Sequence, residues 1–292
     1  MPIAGEVGVL INPTAGKGRA ARIGDGVLAR LAAAGVSARP IIGRDGDHAE
    51  HLARQAVRDG AGALIAVGGD GSVHLAAQAL AGTDVPLGVV PAGTGNDVAR
   101  YLALPRTDPL AAVEVILAGR TKRIDLARSG SRYFVTVLAA GFDAVVNERA
   151  NAMSWPRGQM RYNLATLAEL RTFQPLRYTL DLDGERVETE AMLVAVGNGT
   201  SFGGGLRITE GARLDDGLLD VVLVKPLSRL GLIRAYPGLF DGSVVEHPQF
   251  RRYRVRRATI AAAGIVSYAD GERFGPLPLT VEAVPRALKV IA

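Results

Sequence analysis

Short apolar runs alternate with alanine-rich stretches of helical period through roughly the first 120 residues. The runs Val7–Ile11, Val36–Ile42, Ala63–Val67 and Leu87–Val90 predict strands. Between them, Ile23, Val27 and Leu31 mark one stripe of a helix over about Ala20–Ala34, which Gly35 stops. Further helices are expected over about His48–Arg58, with Asp47 as N-cap, over Val73–Leu80 and near Asp97–Leu102. This βαβα order predicts a parallel sheet covered on both faces.

The pattern changes after Arg120. Helical period fades except around Gln159–Arg171, and strand runs take over: Tyr133–Ala139, Tyr178–Leu182, Ala191–Gly197, Leu219–Val224, Arg254–Ala262 and Leu279–Ala283. Asp183-Gly184, set between alternating runs, signals a hairpin. The expected fold is an α/β domain over residues 1–125 followed by a mostly antiparallel β-sandwich or barrel over 126–292. The last strands are able to pair back onto the first domain.

Composition narrows the class. The chain has 292 residues, 48% hydrophobic and 22% charged, as an ordinary globular protein does. It has no cysteine, which excludes disulfides, thiolate metal sites and cysteine nucleophiles. The N-terminal MPIAGEVGVLINP does not read as a signal peptide, and the longest apolar stretch, Ala258 to Ala269, is about half of a bilayer span. A cytoplasmic protein is expected. The net charge of +5 favours anionic partners such as nucleotides or acidic membrane surfaces. With only 5% aromatic residues and no nucleic-acid motif, nucleic acid is not expected as a partner.

Candidate chemistry gathers in glycine-rich turns after strands. Gly68-Gly69-Asp70-Gly71-Ser72 follows the third run and Pro91-Ala92-Gly93-Thr94-Gly95-Asn96-Asp97 the fourth. Turns at the carboxyl ends of neighbouring parallel strands converge where open α/β sheets bind ligands. Glycine lets backbone N–H groups approach a polyphosphate, Ser72 and Thr94 offer hydroxyls, and Asp70 and Asp97 can hold Mg²⁺ or orient a loop. The pattern suits a nucleotide triphosphate and points to a kinase. Asn12-Pro13-Thr14-Ala15-Gly16-Lys17-Gly18 is either a third phosphate-binding turn, aided by Lys17 and Arg19, or a plain βα turn; it lacks P-loop spacing. The plain reading of the other two is a helix-capping turn, with Ser72 as the first cap.

Other features read two ways. Asp215-Asp216-Gly217 offers hard oxygen ligands or a solvated turn, and Asp270-Gly271-Glu272 reads alone as a turn. His48 and His51 suit capping or surface roles better than metal binding, and Trp155 suits packing or an exposed loop. Arg251-Arg252-Tyr253-Arg254-Val255-Arg256-Arg257 would place Arg252, Arg254 and Arg256 on one side of a strand. Its readings are a charge-protected edge strand or contact with anionic lipid headgroups.

Taken together, NPTAGKGRA, GGDGSVH, PAGTGNDVAR, Ile124-Asp125-Leu126, GFDAVV, VGNGTSFGGG, ARLDDGLLDVV and DGE resemble the diacylglycerol kinase catalytic-domain family in content and order. That family includes sphingosine and ceramide kinases and soluble bacterial lipid kinases. The resemblance implies an N-terminal domain like those of phosphofructokinase and NAD kinase, a C-terminal β-sandwich, and ATP bound between the domains. It implies nucleotide contacts at Asn12, Gly69, Asp70, Gly71, Ser72, Thr94 and Asn96, with Gly16, Gly68, Gly93 and Asp97 in the same turns. Glu272 matches the catalytic base, with Asp70 as a second catalytic carboxylate able to share a Mg²⁺ with the phosphates. Asp216, with the backbone carbonyls of Arg213 and Leu218, matches a structural Mg²⁺ site, and Asp125 an acidic support. This chain departs from the family at Ile42 or Gly43, where some members carry Thr, and at Ser72, where Thr is commoner.

The expected activity is transfer of phosphate from ATP to a lipid hydroxyl, with a soluble acceptor such as NAD, or a nucleotide- or membrane-binding regulator, as alternatives. Residues 147–175, with Met153, Trp155, Met160, Leu164, Leu167 and Phe173, read as a core helix, a homodimer contact or an apolar entrance for a lipid tail.

Overall fold

The computed structural model describes residues 5–153, 155, 164, 168, 169, 174–235 and 237–292. The helix expected over Gln159–Arg171 falls almost entirely outside them. The chain forms two compact units: Met1–Val135 with Leu214–Gly217 and Val284–Ala292, and Thr136–Arg213 with Leu218–Ala283. The first unit therefore runs past residue 125, and two later segments return to it.

In the first unit, β1 (Val7–Ile11), β2 (Ala38–Ile41), β3 (Ala63–Gly68) and β4 (Leu87–Pro91) lie parallel in the order β2-β1-β3-β4. Every residue of β1, β3 and β4 is buried, which explains their unbroken apolar runs. Strand β2 is an edge and tolerates Pro40 there. It starts two residues later than expected because the Val36 N–H still bonds to the Leu31 carbonyl (3.0 Å), closing the preceding helix.

That helix, α1 (Arg19–Ala33), buries Ala20, Gly24, Val27 and Leu31 along one stripe. Helix α2 (Gly46–Arg58) is capped by Asp45, whose carboxylate accepts the His48 N–H at 2.8 Å. The expected cap, Asp47, sits instead in the first turn, where the helix dipole favours its charge. Helix α3 (Asp70–Leu80) begins directly after the Gly68-Gly69 turn, three residues ahead of the predicted start. Helix α4 (Asp97–Tyr101) matches expectation closely. Helix α5 (Pro109–Ala118) has no counterpart in the periodicity, because PLAAVEVILA is apolar nearly all round. Its ends were nevertheless written in the chain: Asp108 accepts from Leu110 and Ala111 N–H, Pro109 opens the first turn, and Gly119 closes it. Strands β5 (Thr121–Ser129) and β6 (Arg132–Phe134) pair antiparallel.

The second unit holds β7 (Val137–Gly141), α6 (Phe142–Ala152), β8 (Leu176–Leu182), β9 (Glu185–Ala191), β10 (Leu193–Gly197) and β11 (Leu219–Val224). Then come α7 (Arg229–Ala235), α8 (Gly238–Asp241), β12 (Phe250–Val255), β13 (Arg257–Ala261), β14 (Val266–Ala269) and β15 (Glu272–Pro276). Antiparallel strands run in the order β12-β11-β10-β7-β14-β15. A second antiparallel layer contains β9, β8 and β13 with the first half of β16 (Leu279–Ile291). The Tyr178 hydroxyl of β8 donates to the Ala140 carbonyl of β7 at 3.1 Å, stitching the layers; burial pushes its pKa up. In the first unit, the last half of β16 meets β4 in parallel at Val290 and Leu87.

Three expected strands are each two. Tyr133–Ala139 breaks between Phe134 and Val137, and Ala191–Gly197 breaks at Met192, whose N–H turns to the Val224 carbonyl (2.7 Å). Arg254–Ala262 breaks after Val255, where both carboxylate oxygens of Asp183 accept the N–H groups of Arg256 (2.9 Å) and Arg257 (2.8 Å) and turn the chain from one sheet to the other. Asp183-Gly184 is the β8–β9 hairpin turn, both residues at positive φ.

Candidate active site

Three turns at the carboxyl ends of β1, β3 and β4 come together in the first unit. The N–H groups of Ala92 (2.8 Å) and Gly93 (3.3 Å) both donate to the Gly68 carbonyl. A methyl group on Gly93 would lie 2.5 Å from the Gly69 Cα, and one on Gly16 would overlap the Ala92 carbonyl oxygen. Glycine is therefore required at both positions by close backbone approach, and Gly16 also has φ of 59°. Asn12 sits at the same edge, its Oδ1 accepting from the N–H (3.2 Å) and hydroxyl (2.8 Å) of Thr14.

The carboxylates hold this cradle together. Asp70 Oδ1 accepts the N–H groups of Asp97 (2.7 Å) and Val98 (3.2 Å), so a side chain in the first turn of α3 caps α4. Asn96 stands at φ 53° and bonds Gly93 twice, accepting its N–H (3.1 Å) and donating to its carbonyl (3.0 Å). Asp97 is buried and pairs with Arg100, which also donates to the Gly95 carbonyl at 3.3 Å. Of the two roles open to Asp70 and Asp97, loop orientation is the one this geometry displays.

Ser72 does not cap α3, whose N-cap is Gly69. Its hydroxyl is buried and, among the described residues, has no hydrogen-bond partner. A buried hydroxyl left unsatisfied costs about 1–3 kcal/mol, so this one fits a ligand oxygen as its missing partner. Lys17, Arg19 and Thr94 are exposed around the turns. Close-packed glycine turns, the Ser72 and Thr94 hydroxyls and the nearby cations together suit a polyphosphate.

The acidic turn at 213–218 is tied down by Asp125. Its buried carboxylate accepts the N–H groups of Gly217 and Arg286, each at 2.7 Å, while its own N–H donates to the Leu214 carbonyl at 2.6 Å. Tyr101 Oη also accepts the Leu214 N–H (2.9 Å). The Asp216 carboxylate in this turn is a hard-oxygen donor of the kind Mg²⁺ takes. Among the described residues, no three or more His, Cys, Asp or Glu side chains gather into a metal-binding group, His48 and His51 included.

In the second unit, Asp270 and Gly271 form the tight turn between β14 and β15, both at positive φ, and Glu272 is the first residue after it, exposed. The buried Asp270 carboxylate accepts the N–H (2.8 Å) and hydroxyl (2.7 Å) of Thr136. The Thr136 carbonyl in turn accepts the N–H groups of Asn198 and Gly199, each at 2.8 Å. On α6, Glu148 Oε1 accepts from the Tyr268 hydroxyl (2.7 Å) and Arg273 Nε (3.0 Å); these bonds hold its carboxyl below the usual range. Sequence reasoning missed Thr136, Glu148, Tyr268 and Arg100. Only Arg100 carried a signal, its i,i+3 spacing from Asp97.

The arginine cluster resolves into an edge strand. Arg252 and Arg254 do share a side, but both face Asp220, which is only 1% exposed: Arg252 Nε lies 2.6 Å and Arg254 Nε 3.6 Å from Oδ1. Arg256 does not continue that row, because it lies past the strand end at the bend. Trp155 and Leu164 are exposed rather than core. Met160, Leu167 and Phe173 lie outside the described residues. Among the described residues no helix is long and apolar enough to cross a membrane.

Residues 6–129 match the family described as the diacylglycerol kinase catalytic domain, and residues 136–292 the YegS C-terminal NAD kinase beta sandwich-like domain. A diacylglycerol kinase of Mycobacterium tuberculosis is 44% identical over 98% of this chain and 95% of its own. One from Bacillus subtilis is 27% identical over 92% and 90%. Among solved structures, a diacylglycerol kinase from Bacillus anthracis superposes with a TM-score of 0.77 at 24% identity, covering 98% of this chain and 96% of that one. An NAD kinase from Archaeoglobus fulgidus in complex with ATP gives 0.54 at 13%, covering 99% and 93%. These two share the fold.

Proposed function

This chain belongs to the diacylglycerol kinase family, and from that premise we propose that it transfers the γ-phosphate of ATP to the hydroxyl of a lipid of the diacylglycerol class. The observation that carries the nucleotide half is the buried, partnerless Ser72 hydroxyl inside a cradle closed by Gly16, Gly69 and Gly93. Backbone N–H groups of the turns, Ser72 Oγ and Thr94 Oγ hold phosphate oxygens, and Lys17 and Arg19 add positive charge at the rim.

Asp70 and Asn96 keep the turns in register for this, through the bonds each makes to the 93–98 segment. Mg²⁺, when bound, neutralises charge on phosphate oxygens or stiffens the 213–218 turn, and Asp216 is its proposed carboxylate ligand. Glu272 accepts the proton of the acceptor hydroxyl as that oxygen attacks phosphorus in line with the departing β-phosphate oxygen. The 44% identity to a protein named diacylglycerol kinase supports the lipid acceptor. Trp155 and Leu164 are exposed apolar side chains that an acyl tail can meet, and exposed Arg251 and Arg256 offer charge to anionic headgroups.

The test is phosphate transfer from γ-labelled ATP with Mg²⁺ to diacylglycerol and other lipids in mixed micelles, with NAD alongside and Glu272→Gln as control. A labelled lipid that disappears in the variant is the expected result. Label on NAD would move the chain to soluble acceptors. Nucleotide binding with no labelled product from any acceptor would defeat the transferase reading.

A further inference from the structure

We propose that Glu148, Tyr268 and Arg273 form a clamp that positions Glu272, fixing the β14–β15 hairpin against helix α6 so that the carboxylate is presented in one orientation. The inference rests on the reading of Glu272 as the base.

The hairpin is a tight two-residue turn, and its geometry is set from two sides. At the turn itself, Asp270 is anchored by the Thr136 N–H and hydroxyl and sends its own N–H to the Val137 carbonyl at 3.2 Å. One step on, Tyr268 and Arg273 stand opposite each other in the ladder, as Ala269 and Glu272 do. Tyr268 and Arg273 therefore share a face, and Glu272 projects from the other. Glu148 reaches that first face from α6 and takes a hydrogen bond from each member of the pair through a single oxygen, Oε1.

The arrangement differs from an ordinary surface ion pair. Tyr268 is 4% exposed, so its hydroxyl needs a partner on the protein. The ladder shifts register between Ser267 and Tyr268, immediately before the clamp. Such a bulge weakens pairing and redirects side chains, so a bond from outside the ladder restores rigidity where the strands supply least. Helix α6 also carries Arg149, which pairs with the buried Glu169, giving the helix a separate anchor. None of the clamp residues is proposed to touch ATP or the acceptor.

The experiment compares Glu148→Ala, Arg273→Ala and the conservative Glu148→Gln, whose amide oxygen keeps both acceptor contacts, with Glu272→Gln in the same lipid phosphorylation assay. Misplacing a reacting group by about an ångström costs up to about a hundredfold in rate. Glu148→Ala and Arg273→Ala should each lower kcat by about ten- to a hundredfold, with KM for ATP and for lipid within about twofold. The thermal midpoint should stay near wild type in Arg273→Ala, whose ion pair is half-exposed, and fall modestly in Glu148→Ala, which leaves the buried Tyr268 hydroxyl without its acceptor. Glu148→Gln should recover most of kcat. Wild-type kcat in both alanine variants, or a loss seen only as raised KM, would overturn the clamp, as would a fall in kcat in Glu148→Ala alone that merely tracks its lowered midpoint. Full activity in Glu272→Gln would overturn the base itself, whatever the clamp variants do.

Discussion

Asp70 and Asp97 are joined through the backbone: the carboxylate of Asp70, in the first turn of α3, accepts the N–H of Asp97 at the first turn of α4. One bond thus couples the turn after β3 to the turn after β4. Asp70→Ala removes the acceptor for two N–H groups and should cost about 1 kcal/mol of stability, the usual scale for a lost N-cap, while loosening the nucleotide cradle. Asp70→Asn keeps an acceptor oxygen and should retain the stability. A thermal melt and an ATP-binding titration on both variants check this. If Asp70→Asn melts like wild type yet loses turnover, the charge of Asp70 acts in the chemistry as well as in the loop.

Much of this arrangement was legible beforehand. The central strands β1, β3 and β4 are buried on both faces, so their residues had to be apolar without a gap. The glycines had to appear wherever two turns meet backbone to backbone. What escaped notice depends on contacts far apart in sequence. Thr136 is an unremarkable residue inside an apolar run until Asp270, 134 positions later, takes its N–H and hydroxyl. Arg252 and Arg254 looked like solvent-facing charge because nothing local announces that Asp220 is buried opposite them. Helix α5 hid because its face toward solvent is nearly as apolar as its face toward the core.

The contact between Gly69 and Gly93 leaves no room for a side chain. Gly93→Ala would bring a methyl group 2.5 Å from the Gly69 Cα, which forces the two turns apart. ATP affinity should fall by at least about tenfold, since the donors of both turns must point at the same phosphates. Calorimetric titration with ATP reads this directly, and unchanged affinity would show that the two turns do not act as one cradle.

Ser72 makes an opposite pair of demands. Without a ligand its buried hydroxyl is unsatisfied, so Ser72→Ala should leave the free protein as stable as wild type or slightly more so. With ATP the same change removes a hydrogen bond to a charged oxygen, worth about 1.5–3 kcal/mol, or about ten- to a hundredfold in affinity. Melting curves should therefore diverge only with saturating ATP: the variant matches wild type alone and gains a smaller upward shift from nucleotide. Equal shifts would mean the hydroxyl does not meet the phosphates.

The Asp45 cap carries a pH signature. The His48 N–H bonded to its carboxylate holds its pKa below the ordinary 3.8. A depressed folded-state pKa adds stability that is complete above the unfolded value and disappears as pH falls through the folded one. Asp45→Asn should thus match wild type most closely in strong acid and trail it at neutral pH. Denaturant midpoints taken from pH 7 down to pH 2 check the trend; a difference that grows toward acid would reverse it.

The arginine cluster should split by partner rather than by charge. Arg252→Ala removes the closer guanidinium from the buried Asp220 and leaves Arg254 at 3.6 Å, and a carboxylate at 1% exposure tolerates that loss poorly. Breaking a fully buried pair costs about 3–5 kcal/mol; with Arg254 remaining and Arg252 partly solvated, about 2 kcal/mol is the expected loss. Arg251 and Arg256 are exposed, and replacing both by alanine should change stability by no more than about 0.5 kcal/mol. If the exposed pair meets anionic headgroups, each contributes about 1 kcal/mol at a charged surface. Sedimentation with vesicles containing phosphatidylglycerol should then show weaker association for the Arg251→Ala/Arg256→Ala variant, lost for both proteins at high salt. Unchanged association with unchanged stability would reduce the exposed arginines to protection of an edge strand, with no part in meeting the lipid.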